Sequence, residues 1–155
     1  MRQGKRLGID VGSVRIGLAS CDADGILASP LPALKRSSDN EVLIVEIKNL
    51  VAELEIIEVV IGDPISMSGN ITSSTSDARQ LASEIAAAIN VPVRLVDERL
   101  TTVSAQAKLR QSGKDTREAK TLIDSASAVE ILEHALTTER STGNAPGVLA
   151  GDLDG

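Results

Sequence analysis

The sequence predicts an α/β protein built on a mixed five-stranded sheet, an antiparallel meander followed by parallel strands, with helices flanking it. Three observations lead there. Three short apolar runs separated by tight turns occupy the segment up to Leu34. After Ser37 the hydrophobic period lengthens from that of a strand to that of a helix. Strand-like and helix-like segments then alternate, the order that produces parallel pairing.

Leu7-Gly8-Ile9-Asp10-Val11 is the first strand, an apolar run that meets an acid and stops at Gly12-Ser13. Val14 to Ser20 is the second, with Val14, Ile16 and Leu18 alternating against Arg15 and Gly17. Asp22-Ala23-Asp24-Gly25 is a hairpin turn in which Gly25 accepts positive φ without strain. Ile26 to Leu34 is the third strand, and Pro30 and Pro32 assign part of it to a sheet edge. Ser37-Ser38-Asp39-Asn40 opens a helix that continues to Leu54. Ile56 to Ile61 is a buried-type strand closed by Gly62-Asp63-Pro64, and Ser66 to Ser76 is a polar loop. A helix from about Asp77 to Ile89 precedes the strand Val91 to Val96, which ends at Asp97-Glu98. Thr101 or Thr102 caps a helix to about Gln111, stopped by Ser112-Gly113, and a last helix covers roughly Glu118 to Leu136. Residues 1–137 thus read as one domain, and 138–155 as a disordered tail without periodicity.

Composition narrows the function. The 155 residues include no Phe, Tyr or Trp, so nucleic-acid modules that work by stacking bases on aromatic rings are excluded. The formal charge of −6 gives no long-range help toward a phosphate backbone; contact with one requires a local basic patch or bound cations. A single cysteine, Cys21, excludes an intrachain disulfide and a cysteine zinc site. It reads as a small core residue and fits a reducing, cytoplasmic location. A single histidine, His134, makes a Ser-His-Asp triad a poor reading and is placed near a helix C-terminus. No apolar run is long enough to cross a bilayer, so no membrane partner is expected.

The acids sit where carboxylates are costly. Asp10 ends a strand of apolar neighbours, and Asp97 and Glu98 close another, at the strand ends where α/β sheets gather ligands. On a wheel of about 100° per residue, Asp124 shares a half-turn arc with Leu122, Ala128, Val129, Ile131, Leu132, Ala135 and Leu136. An unpaired carboxylate there needs a cationic partner. Arginine or lysine can serve, as Arg94 or Arg99 can for Asp97 or Glu98. If Asp10, Glu98 and Asp124 converge, a hard divalent cation explains them better, since two such ions clamp both oxygens of a phosphoryl displacement. Two ions would bring the formal −6 to −2.

The segments holding these acids resemble a known family. Asp10-Val11-Gly12-Ser13-Val14-Arg15-Ile16-Gly17 resembles the D-x-G-x-x-R-x-G opening of the YqgF/RuvX family. Asp97-Glu98-Arg99-Leu100-Thr101-Thr102 is similar to its D-E-R-x-T-T stretch, and Ile123 to Leu132 to its D-x-x-A-A-x-x-I-L helix. The resemblance implies an RNase H-like fold and a metal-dependent nuclease that matures the 5′ end of pre-16S ribosomal RNA. It implies Asp10, Glu98 and Asp124 as catalytic acids, and Asp10, Asp97, Glu98 and Asp124 as holders of Mg²⁺ or Mn²⁺, two ions in all. Arg15, Arg99 and Thr101 in the matched stretches are expected to contact substrate. So are Lys114 and Arg117 within the basic run Lys108 to Lys120. One departure stands out: Gly62-Asp63-Pro64 replaces a G-[apolar]-P pattern, making Asp63 either solvent-facing or an extra acid near the metals.

The expected partner is precursor rRNA, for a monomer or weak homodimer. Four-way DNA junctions are the alternative substrate, requiring a symmetric dimer with two active sites. A non-catalytic RNA-binding or ribosome-assembly module is a further reading. An actin-like ATPase is disfavoured because the chain is too short for two nucleotide-closing domains.

Overall fold

The computed structural model describes residues 1–100 and 124–151. Its elements are β1 (Lys5–Val11), β2 (Arg15–Cys21), β3 (Ala28–Lys35), α1 (Glu41–Glu53), β4 (Ile56–Asp63), α2 (Ser73–Ala88) and β5 (Val93–Asp97). A 3-10 turn, Glu98–Leu100, follows β5; α3 (Ala126–Thr142) and β6 (Val148–Leu149) complete the described chain.

Six strands form one sheet in the order β3-β2-β1-β4-β5-β6, one more than the sequence predicts. The meander is as expected: β2 runs antiparallel to β1 and β3, while β1–β4 and β4–β5 are parallel. Period-two alternation divides the side chains between two faces. Leu7, Ile9, Val59, Ile61 and Leu95 pack with Leu43 and Ile47 of α1 and Leu81 and Ile85 of α2. On the opposite face Ala19, Cys21, Val60 and Val96 meet Ala128, Ile131, Leu132 and Ala135 of α3.

Several boundaries differ from the sequence reading. Strand β3 begins at Ala28, leaving Ile26 and Leu27 exposed in the hairpin, where Gly25 has φ +66°. It is an edge strand, which accommodates Pro30 and Pro32. Helix α1 buries only Leu43 and Ile47, and its Val42 and Val45 are exposed. Helix α2 starts four residues before Asp77, because Thr72 and Thr75 form a reciprocal capping box. Helix α3 passes Leu136 and ends at Thr142, with Gly143 in the left-handed C-cap. His134 is therefore two turns inside the helix. Beyond it, Val148–Leu149 pairs with β5, and Ala150 is buried in the core, so the expected unstructured tail carries sheet structure.

A buried polar network crosses the end of the sheet where β1, β4 and β5 begin. Arg6 and Glu58 are each 1% exposed. Glu139 of α3 accepts from Arg6 at 2.8 Å and also from Arg2. Glu58 is bound by Arg2 and Arg94, each at 3.0 Å. Cys21, buried as expected, accepts from the Arg6 amide.

Candidate active site

The opposite end of the same strands holds the acids. Asp10 lies one residue before the end of β1, and Glu98 directly follows β5. Between them β4 ends in Gly62-Asp63. The Glu98 side chain lies across Gly62: a Cβ there would stand 2.3 Å from its Oε1 and 2.6 Å from Cδ1 of Ile131. The missing side chain lets Glu98 reach Asp10, to which it is hydrogen-bonded. Burial, the bond to Asp10, and the charges of Asp10, Asp63 and Asp97 together push the Glu98 carboxyl up to about 8. At neutral pH Glu98 therefore keeps its proton and donates it toward Asp10.

Asp97 points to a different partner. Arg99 grips it side-on, with Nε 3.0 Å from Oδ1 and Nη2 2.6 Å from Oδ2, and the Arg99 amide donates as well. These bonds hold Asp97 below the usual carboxylate range against the opposing effect of burial, with His134 adding a weaker pull in the same direction.

Asp124 does not lie on the apolar face of a helix. It occupies a turn before Ser125, the N-cap of α3, and its carboxylate is 31% exposed. Arg15 Nη1 donates to its Oδ2 at 2.7 Å. Its main chain is fixed tightly. The Asp124 carbonyl oxygen would be 2.4 Å from a Cβ on Gly17, so only glycine admits this approach. The Ser125 hydroxyl accepts from the Leu18 amide at 3.1 Å and donates to the Leu31 carbonyl at 2.6 Å. Both backbone groups become available where the β2–β3 register shifts between Ile16 and Leu18.

Asp63 is buried, not solvent-facing. It is 6% exposed and shares the face of Ile61, away from α3, where Arg79 of α2 binds both its oxygens at 2.9 Å. The turn after Asp10 is braced from outside. Arg36 donates to the Gly12 carbonyl and pairs with Asp77 at 2.6 Å. Beside it an open cleft of about 570 Å³ is lined by Ser13, Arg36, Ser37, Ser38, Asn40 and Asp77.

Of the acids named from sequence, Asp10 and Glu98 are brought together, while Asp97 and Asp124 are bound to guanidinium groups. Among the described residues no three Asp, Glu, His or Cys side chains stand ready to hold one metal ion. Thr101, Lys114 and Arg117, with the rest of the basic run, lie outside the described residues. Sequence reasoning missed the roles of Arg36 and Arg79. Their partners lie 41 and 16 residues away, where no local spacing rule reaches.

A family model described as "RuvX: Holliday junction resolvase" matches residues 4–138. The chain belongs to the RuvX family. Its similarity to curated relatives runs nearly end to end. A protein of Clavibacter michiganensis subsp. michiganensis is 47% identical over 96% of this chain and 92% of its own length. One from Streptomyces coelicolor is 47% identical over 95% and 88%. One from Mycobacterium ulcerans is 49% identical over 90% and 82%. All three bear the name "Putative pre-16S rRNA nuclease". Among solved structures, Thermus thermophilus RuvC in complex with a Holliday junction substrate aligns with a TM-score of 0.60 at 16% identity. That alignment covers 94% of this chain and 99% of RuvC. A second T. thermophilus RuvC structure gives 0.52. The RNase H-like fold expected from the motifs is the fold observed, and the chain is an enzyme of a nuclease family.

Proposed function

We propose that this RuvX chain is a divalent-metal-dependent nuclease that cleaves precursor 16S rRNA near its 5′ end, with Asp10, Glu98 and Asp124 as its catalytic acids. The meeting of the Asp10 and Glu98 carboxyl groups over Gly62 carries this reading. Two carboxyl groups from distant strands are pressed together over a glycine, and without a cation one of them must stay neutral. Their oxygens are the hard donors that Mg²⁺ or Mn²⁺ prefers, so the pair fits such an ion. When bound, the ion supplies Lewis-acid polarisation of the phosphate and neutralises charge in the transition state.

The chain's own groups do the rest. Asp10 and Glu98 would hold that cation at the rim of the sheet, and so would fix where a phosphate can be bound. Asp124 approaches from the α3 side, and two ions become possible once it joins the pair. Asp97, fixed by Arg99, adds negative field without leaving its guanidinium. Arg15 and Arg99, each paired with a carboxylate yet partly exposed, are proposed to turn their outer edges to a nucleic-acid backbone, with Thr101, Lys114 and Arg117 extending that contact. With no aromatic side chain, recognition rests on phosphates and shape, and affinity falls steeply with salt. Precursor rRNA is the proposed partner, for a monomer or weak homodimer in the cytoplasm. No helix among the described residues is long and apolar enough to cross a membrane.

The test incubates purified protein with precursor 16S rRNA, and in parallel with a four-way DNA junction, with Mg²⁺, Mn²⁺ or chelator. Expected is metal-dependent shortening of the rRNA that Asp10→Asn and Glu98→Gln each reduce by at least about a hundredfold, the scale of losing a transition-state contact of ~3 kcal/mol. Undiminished cleavage by folded Glu98→Gln overturns the site. Symmetric cutting of the junction alone moves the substrate to DNA.

A further inference from the structure

Arg15 holds Asp124, yet both groups reach solvent: their side chains are 40% and 31% exposed. The backbone beneath them is closely packed. Gly17, against which the Asp124 carbonyl packs, is the cross-strand partner of Asp10 in the β1–β2 register. The Asp124 main chain therefore sits over the strand position beside Asp10. Arg15 lies two residues back along β2, on the same face as Gly17. From a main chain placed beside the strand position of Asp10, the Asp124 carboxylate is held by the Arg15 guanidinium on the sheet face where Asp10 and Glu98 meet.

We infer that Arg15 is an exchangeable counter-ion, which holds Asp124 while the site lacks a metal and is transferred to a substrate phosphate as Asp124 turns to a divalent cation. This inference rests on the metal site proposed above. The charges balance in both arrangements: guanidinium with carboxylate in one, guanidinium with phosphate and carboxylate with metal in the other. Because each exchange relieves the other, nucleic acid and metal must tighten one another's binding, by the same factor in both directions. Arg15 is thus a positioning residue that couples two ligands, and its removal separates them.

The experiment measures Mn²⁺ affinity calorimetrically on the full chain, alone and with a nuclease-resistant 2′-O-methyl phosphorothioate strand. In Arg15→Gln, Mn²⁺ alone is expected to bind about tenfold more tightly, equivalent to ~1.4 kcal/mol no longer spent on breaking the ion pair. The strand is expected to tighten Mn²⁺ binding to the wild type about fivefold and to leave Arg15→Gln unchanged. Arg15→Lys, which keeps the charge but loses the fork, should fall between the two. Equal or weaker Mn²⁺ binding by folded Arg15→Gln, or coupling that persists in it, overturns the inference and makes the pair a permanent brace. Asp124→Asn separates this failure from that of the site. If it binds Mn²⁺ as the wild type does, Asp124 is no metal ligand, and the site proposed above fails along with the exchange. If it weakens Mn²⁺ while Arg15→Gln changes nothing, only the exchange fails.

Discussion

Glu98 is the residue in which crowding at the rim has a thermodynamic signature. Its carboxyl is raised to about 8 in the folded chain, against an ordinary value of 4.5. Between those pH values the folded chain binds more protons than the unfolded one, so stability contributed by this group is complete below about 4.5 and is lost as pH rises through 8. In chelator, the urea midpoint of the wild type should therefore fall across that window. Glu98→Gln, which keeps the hydrogen bond to Asp10 without a titrating proton, should show a flatter profile and gain most over the wild type at the alkaline end. Identical profiles would show that the two carboxyls do not share a proton. Asp10 and Glu98 were legible in the sequence because each ends an apolar strand, where an acid has no ordinary reason to be. The partners of Asp124 and Asp63 were not: Arg15 is 109 residues from Asp124, and Arg79 joins Asp63 through a helix-to-strand contact that only the assembled layers create.

At the level of elements, α3 lies close on the sheet because β1, β2 and β4 offer glycine beneath it. A Cβ on Gly8 would press on the Ala128 carbonyl and Leu132 at 2.9 Å, and one on Gly17 would strike the Asp124 carbonyl. Gly17→Ala must lift the start of α3, at a cost of about 1–3 kcal/mol typical of overpacking, read as a lower melting temperature. Mn²⁺ affinity should fall with it, because the stem of Asp124 moves. Gly62→Ala meets the side chains of Glu98 and Ile131 rather than backbone, so it should weaken Mn²⁺ binding with a smaller loss of stability. The succession of elements and the apolar face of α3 followed from periodicity, and Ala128, Ile131, Leu132, Ala135 and Leu136 are indeed buried. The helix ends did not follow. Thr72 and Thr75 looked like part of a polar loop because capping residues and loop residues are the same types. Helix α3 passes Thr137 and Thr138 because Glu139 is drawn inward by Arg2 and Arg6, a tertiary pull stronger than local propensity.

On the scale of the whole molecule, the sheet separates two kinds of charge. The end where β1, β4 and β5 begin holds Arg2, Arg6 and Arg94 with Glu58 and Glu139, and the end where they finish holds the candidate catalytic acids. Removing one partner of the buried set leaves a charge stranded. Glu139→Ala, which exposes nothing that could solvate Arg6, should cost about 3–5 kcal/mol in chemical denaturation. Mn²⁺ affinity should stay near that of the wild type, since the network lies a strand's length from the rim; a large loss of metal binding would contradict that separation. The shift in register between β2 and β3 has a more practical use. Because the Ser125 hydroxyl takes the Leu18 amide in place of a neighbouring strand, exchange of that one proton with deuterated solvent is governed by whether the final helix is seated. A single peak in a two-dimensional spectrum can then report, in each variant, how often the lid over the sheet lifts.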